Sequence, residues 1–262
     1  MSTFRLTVEY DGTDFSGWQA QRGRRTVEGV LREAIAALTS EPVTLTAAGR
    51  TDAGAHAHGQ VVGVSLRGDW RPERLHGALN ALLPRDVVVV GAAVASAEFH
   101  ARHDAARRTY RYLIIARDDR AAVTRGHAWR VRGPLDAVAM RAAAQHLVGR
   151  HDFASFGRSP RTDGTTVRTV HDVFVDTVSV RAAGVTRIDA VSITVTADAF
   201  LRGMMRAFAG ALVAVSQGKL VAADVEQLVA RAEHTPRLTV APAHGLHQWS
   251  VSYGHDSSER AA

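Results

Sequence analysis

No cysteine occurs among the 262 residues, which excludes disulfide staples, thiolate zinc sites, iron–sulfur clusters and every cysteine nucleophile. A reduced, cytoplasmic setting is the expectation. Lysine is nearly missing as well: Lys219 is the single one, so arginine supplies almost all of the 32 cationic side chains. Aromatic residues make up only 6%. The apolar run from Val87 to Ala95 ends at Asp86 and Glu98, far short of the roughly 20 residues that span a membrane. The N-terminus passes from Arg5 straight into a strand pattern with no apolar signal region, so export is not expected. A dinucleotide-type glycine fingerprint and a P-loop are both lacking, so no nucleotide cofactor is expected.

What is present is ordinary globular composition, 46% hydrophobic and 22% charged, at a length that fits one large or two modest domains. A net charge of +6 and a pI near 10.6 favour polyanionic partners. The arginine skew has two readings, coding bias or bidentate phosphate contact.

Phe4, Leu6, Val8 and Tyr10 alternate with polar residues as a half-buried strand. Behind Thr26, a candidate N-cap, apolar residues at helical spacing predict a helix over 26–39. Strands at 43–49 and 60–67, a helix from Pro72 to before Pro84 and a strand at 86–96 complete a strand-helix-strand-strand-helix-strand order, the ferredoxin-like arrangement. A second pass follows: a strand from Arg107, a helix over 134–148, strands at 167–180 and 187–197, helices at 200–217 and 222–233, and a last strand at 247–253. The fold class expected is α+β, with two ferredoxin-like, RRM-like units of antiparallel sheet around a central catalytic cleft. Their bounds are 1–104 and 105–253, with a ligand-facing or merely mobile loop at 153–166 and a frayed, disordered tail at 254–262.

Candidate chemistry concentrates at Gly49-Arg50-Thr51-Asp52-Ala53-Gly54-Ala55-His56-Ala57. Glycines at both ends hold Asp52 on a tight turn; on turn chemistry alone, this reads first as a plain Asx-turn. Tyr110 and Tyr112 alternate with Arg107, Arg108 and Arg111, a phosphate-plus-stacking pattern for RNA or a solvated strand edge. Arg22, Arg24 and Arg25 have the same two readings. Arg206 adjoins a charge-free stretch from Ala207 to Gly218, and Leu201, Met205, Phe208 and Leu212 form an apolar stripe on that helix. Such an arginine either finds a partner or snorkels to solvent. His56 and His58 with Asp52 suggest a metal-dependent hydrolase, but positioned carboxylates and a helical His-Glu-x-x-His are lacking, and no metal is expected. A noncatalytic RNA-binding module is the other alternative.

Around these residues the chain resembles the tRNA pseudouridine synthase A family. The resemblance rests on Tyr10-Asp11-Gly12-Thr13 with Phe15, Gly17, Trp18 and Gln19; on Gly49 to Ala57; on Arg108 to Tyr112; on His151-Asp152-Phe153 with Ser155-Phe156; on Ala199 to Arg206; and on Ala241 to Leu246. They stand in the family's order over nearly all of Phe4 to Tyr253. The departures are Ala55, where valine is usual, and a polar, bulky His247-Gln248-Trp249. The resemblance implies isomerisation of uridine to pseudouridine at positions 38 to 40 of the tRNA anticodon stem-loop, without cofactor or metal, by a homodimer that touches no membrane. It implies that Asp52 is the essential carboxylate, attacking the ribose, attacking the uracil or removing the ribose 2′ proton. Tyr110 would receive the flipped base, Arg206 would pair with Asp52, and Leu246 would pack by the uracil. Arg50 and Arg202 complete the substrate set, and Arg202, four residues before Arg206, is placed on the same helical face.

Overall fold

The computed structural model describes residues 1–159, 164–182, 186–233 and 238–254, with backbone alone for 179–182 and 186–189. Helices and sheet are mixed along the chain, which divides into two compact units, Met1–Ala106 with Gln248–Ala262, and Arg107–His247.

In the first unit, β1 (Ser2–Tyr10) buries Phe4, Leu6, Val8 and Tyr10 on one face, as period-2 alternation requires. Thr26 caps α1 (Val27–Thr39), its side chain accepting from the Gly29 amide at 3.3 Å. Then come β2 (Leu45–Ala47), β3 (His56–Leu66), α2 (Pro72–Leu82) and β4 (Val87–Ala95). β1 pairs antiparallel with both β4 (Leu6↔Ala92) and β3 (Leu6↔Val62), and β2 pairs antiparallel with β3 (Thr46↔Gly63). Leu31 and Ile35 of α1 and Leu75 and Leu79 of α2 join Phe4, Leu6 and Val8 in one buried cluster. The opposite face carries a smaller one built on Ala48, Val61, Ala101 and Val251. Val8 pairs with Gln60 but Tyr10 with Ala57: β3 gains a residue at His58–Gly59, a bulge of the kind that re-aims a strand end.

The second unit is built on β5 (Ala105–Ala116), whose first two residues belong to the other unit. β6 (Trp129–Val131), α3 (Ala137–Ala144), β7 (Gly149–Asp152), β8 (Val167–Ala182), β9 (Thr186–Ala197), α4 (Met204–Ser216) and α5 (Ala222–Arg231) follow. β9 pairs antiparallel with β5 (Tyr110↔Val195) and β8, and β7 edges β8. Phe153, Phe156 and Phe208 meet edge to face, with centroids 5.0–6.2 Å apart. β10 (Leu246–Tyr253) starts in this unit and ends in the first.

Several expectations are corrected. The sheets are not wholly antiparallel, because β6 pairs parallel with β5 (Ile114↔Trp129); residues 117–128 supply the dozen-residue return that a parallel pair needs. β6 and β7 were not expected, being too short to display alternation. α3 starts after Asp136, whose carboxylate accepts from the Ala139 amide at 2.9 Å, rather than at Pro134. α4 starts at Met204, not Phe200, because Gly203 precedes it at φ +80°. Residues 160–163 of the 153–166 loop and 255–262 of the tail lie outside the described residues.

Close backbone approach gives a paired test. A Cβ on Gly210 would fall 1.7 Å from the Thr239 carbonyl oxygen, whereas one on Gly77 of α2 would meet nothing within 4 Å. Urea unfolding should show Gly210→Ala destabilised by about 3 kcal/mol and Gly77→Ala stabilised by about 0.5–1 kcal/mol.

Candidate functional site

Two loops of the first unit are sewn together by their backbones. The pairing of Tyr10 with Ala57 brings the segment leaving β1 beside the segment leading into β3. There the Trp18 amide donates to the Thr51 carbonyl at 3.1 Å and the Gly54 amide to the Phe15 carbonyl at 3.2 Å. A Cβ on Gly12 would strike the Ala55 carbonyl oxygen at 1.8 Å, so only glycine admits this contact. Asp52 opens a turn closed by the Ala55 amide donating to the Asp52 carbonyl at 3.1 Å. Gly54 has φ +80°, the sign a type II turn needs at its third residue. Beside the half-buried Asp52, the Tyr10 hydroxyl and Thr51 Oγ1 share a buried hydrogen bond of 2.7 Å. The backbone of 51–55 is thus tied down at three places, with a carboxylate on its first turn.

His56 is buried, and its Nδ1 accepts from the Gly12 amide at 3.1 Å; Asp11 Oδ1 stands at the same distance, placed to pair with the ring once it is protonated. His58 Nδ1 is 3.6 Å from Glu9 Oε2, and its ring lies on Trp249 at 4.7 Å.

In the second unit, Tyr110 is 7% exposed, its ring edge-on to Phe200 at 4.7 Å. Arg206 stands in the first turn of α4, where the helix dipole disfavours a cation. Its Nε donates to the Ala241 carbonyl at 2.6 Å, and the Ala241 amide donates back to the Arg206 carbonyl at 3.1 Å. Simple snorkelling therefore does not describe it. Tyr112 donates to the Pro242 carbonyl at 2.6 Å; burial pushes its hydroxyl well above the usual tyrosine value, with the Arg206 charge pulling the other way. Leu246, 7% exposed, opens β10. Burial also lowers the nearby His244 below its ordinary value, against a raising hydrogen bond to the Ala128 backbone.

Arg202 is not on the α4 face expected for it. It precedes Gly203 and exchanges backbone hydrogen bonds with Arg158, at 2.9 and 3.3 Å, while its side chain is exposed. The arginine sets also divide. Arg22, Arg24, Arg50 and Arg107 are exposed. Arg25 forks onto Asp86 with two 2.8 Å hydrogen bonds that raise its pKa, and lies 4.0 Å over the Phe15 ring. Arg108 is 8% exposed and donates to the Asp198 carbonyl at 2.6 Å; half-buried Arg111 donates to Thr194 Oγ1 at 3.3 Å. Sequence reasoning gave no role to Thr51 or Phe200. Thr51 adjoins Asp52 in the turn already singled out, and Phe200 lies in the Ala199–Arg206 segment, but their partners sit 41 and 90 residues away in the chain.

A profile described as tRNA pseudouridine synthase matches residues 6–104 and 143–254. Among curated proteins, the chain is 39% identical over 254 residues to the tRNA pseudouridine synthase A of Methylobacterium radiotolerans, covering 97% of this chain and 98% of that protein. It is 40% identical to that of Methylorubrum populi over 97% and 99%, and 41% identical to that of Agrobacterium fabrum over 97% and 93%.

The division among the arginines is measurable. Arg25→Ala, losing a fork and a ring contact at a partly exposed site, should cost about 1 kcal/mol in urea unfolding. Arg24→Ala should stay within about 0.5 kcal/mol of the parent. Equal effects would remove the distinction.

Proposed function

The chain belongs to the tRNA pseudouridine synthase family, and from that premise we propose that it isomerises uridine to pseudouridine in tRNA, at positions 38 to 40 of the anticodon stem-loop. The bond between ribose C1′ and uracil N1 breaks, one between C1′ and C5 forms, and the C5 proton is lost as N1 gains one. The change is redox-neutral. The observation that carries the residue assignment is the tied turn that presents Asp52. A carboxylate held on a fixed backbone suits a nucleophile or base whose aim decides the rate.

Antiparallel pairing with β1 between β4 and β3, and β2 on β3, supports reading the first unit as ferredoxin-like. We read 1–104 and 105–253 as two such domains, the first carrying the Asp52 loop. A uridine inside a paired stem must leave the stack before it reacts. Tyr110, braced by Phe200, has the rigid flat face on which such a base stacks. Leu246 would flank the uracil. Arg206 is assigned to Asp52 on the family resemblance, and its Ala241 hydrogen bond supports a fixed guanidinium. Arg50 and Arg202 are assigned to substrate, and exposed Arg22, Arg24 and Arg107 to phosphate contact. Arg25, Arg108 and Arg111 enter that set less directly, since each already serves a contact within its own unit. The resemblance further supports a cytoplasmic homodimer working without metal.

With purified, unmodified tRNA, Asp52→Asn should lower pseudouridine formation by about a thousandfold or more while tRNA affinity changes little. Near-normal turnover would sink the assignment. Tyr110→Ala should reduce turnover more than affinity, and Arg202→Ala affinity more than turnover. Affinity should fall steeply with salt through counterion release. Sedimentation should give a dimer mass for active enzyme.

A further inference from the structure

The segment carrying Asp52 leaves the sheet ladder early. The Ala48 amide still donates to the Val61 carbonyl at 2.9 Å, but β2 has ended at Ala47 and β3 does not begin until His56. At the next residue, Gly49, a side chain takes over from the ladder: Gln60 Nε2 donates to the Gly49 carbonyl at 2.8 Å. Gln248 Nε2, from β10, donates in turn to Gln60 Oε1 at 3.1 Å. Both glutamines are 0% exposed, so water is not at hand to substitute for either.

We infer that Gln60 and Gln248 are positioning residues for the reaction, a two-amide relay from the last strand that fixes the Gly49 peptide and, through it, the backbone beneath Asp52. This rests on the reading of Asp52 as the catalytic carboxylate. The direction of the relay is forced. The Gly49 carbonyl only accepts, so Gln60 must turn its NH₂ toward it; that leaves Gln60 Oε1 facing Gln248, which must answer with its own NH₂. The Gln248 Oε1 atom is then left buried with no hydrogen-bond partner among the described residues. Such an oxygen is costly to keep, and a relay that orients something else gives it a reason. Two residues beyond Gly49, the Thr51 carbonyl takes the Trp18 amide at 3.1 Å. Together the two tethers hold Arg50 between fixed peptides immediately before Asp52.

The test compares Gln248→Met, Gln60→Met and the double variant on unmodified tRNA, with melting temperatures. Gln248→Met removes the orphaned Gln248 oxygen at similar volume and leaves Gln60 Oε1 orphaned in its place, so the number of unpartnered buried acceptors in the relay stays at one and the melting temperature should change little. The expected result is a kcat lower by about five- to twentyfold with KM within about twofold, since small displacements of a reacting group are enough to do this. The double variant should be no worse than Gln60→Met alone, because Gln248 acts only through Gln60. Selective labelling of glycine carbonyl carbon and arginine nitrogen isolates four Gly-Arg pairs by NMR, at 23–24, 49–50, 149–150 and 157–158; the Gly49 signal should move and the other three should stay. Additive losses, losses that track melting temperature, or an unchanged kcat overturn the relay. Should Gln60→Met not fold, Gln248→Met decides alone: both a lower kcat and a moved Gly49 signal are required. An active Asp52→Asn enzyme would instead overturn the underlying reading, and is recognisable because the Gly49 signal still moves in Gln248→Met.

Discussion

The register of β1 against β3 is the constraint on which the first unit depends. Pairing Tyr10 with Ala57 puts the loop after β1 alongside the loop before β3, and each tie between them follows from that adjacency. These are the Gly12 contact with Ala55, the Tyr10–Thr51 hydroxyl pair and the Trp18 and Gly54 amides. A slip of one residue would send Phe4, Leu6 and Val8 to the wrong face; burial of those three against α1 and α2 therefore specifies the geometry at the far end of the strand. The bulge at His58–Gly59 lets the strand end depart from the ladder without disturbing the core below it.

Where an element buries one face, its sequence states it. β1, α1, α2 and β4 were legible from alternation or helical spacing, and the turn around Asp52 from its glycines. β6 and β7, three and four residues long, left no mark, whereas the equally short β2 lies inside the strand expected at 43–49. The start of α4 was hidden because Leu201 continues the apolar stripe although Gly203 breaks the backbone ahead of Met204. That displacement also took Arg202 off the helix. The arginines show the deeper limit: Arg24 and Arg25 are neighbours of one chemistry, and only Asp86, 61 residues away, makes one of them structural. Gln60 and Gln248 stand 188 residues apart; the family resemblance marked the second as part of a departure but could not supply its partner.

In the second unit, carbonyls answer several of the polar side chains drawn into the fold. Arg206 and Ala241 exchange two hydrogen bonds, Tyr112 answers Pro242, and Arg108 answers Asp198. Each satisfies a main-chain oxygen at an element end, where ladder partners run out. Arg206, Tyr112 and Arg108 thus sit at places where side chains have replaced secondary structure as the source of backbone hydrogen bonds, as Gln60 does at Gly49 in the first unit. Such positions combine an irregular backbone with fixed geometry, which a reacting group requires.

β10 begins in one unit and ends in the other, and this ordering has a consequence for the chain during its synthesis. Translation delivers the Gly49–Asp52 segment about 200 residues before Gln248, a delay of roughly 10–40 s at ordinary elongation rates. Once β4 has been made, about 150 residues before Gln248, the first unit has its helices and four of its own strands but neither the Gln248 amide nor the Val251 side chain of its second apolar cluster. The nascent protein therefore carries the Asp52 loop with its first-unit ties but without the Gln248 tether until β10 leaves the ribosome.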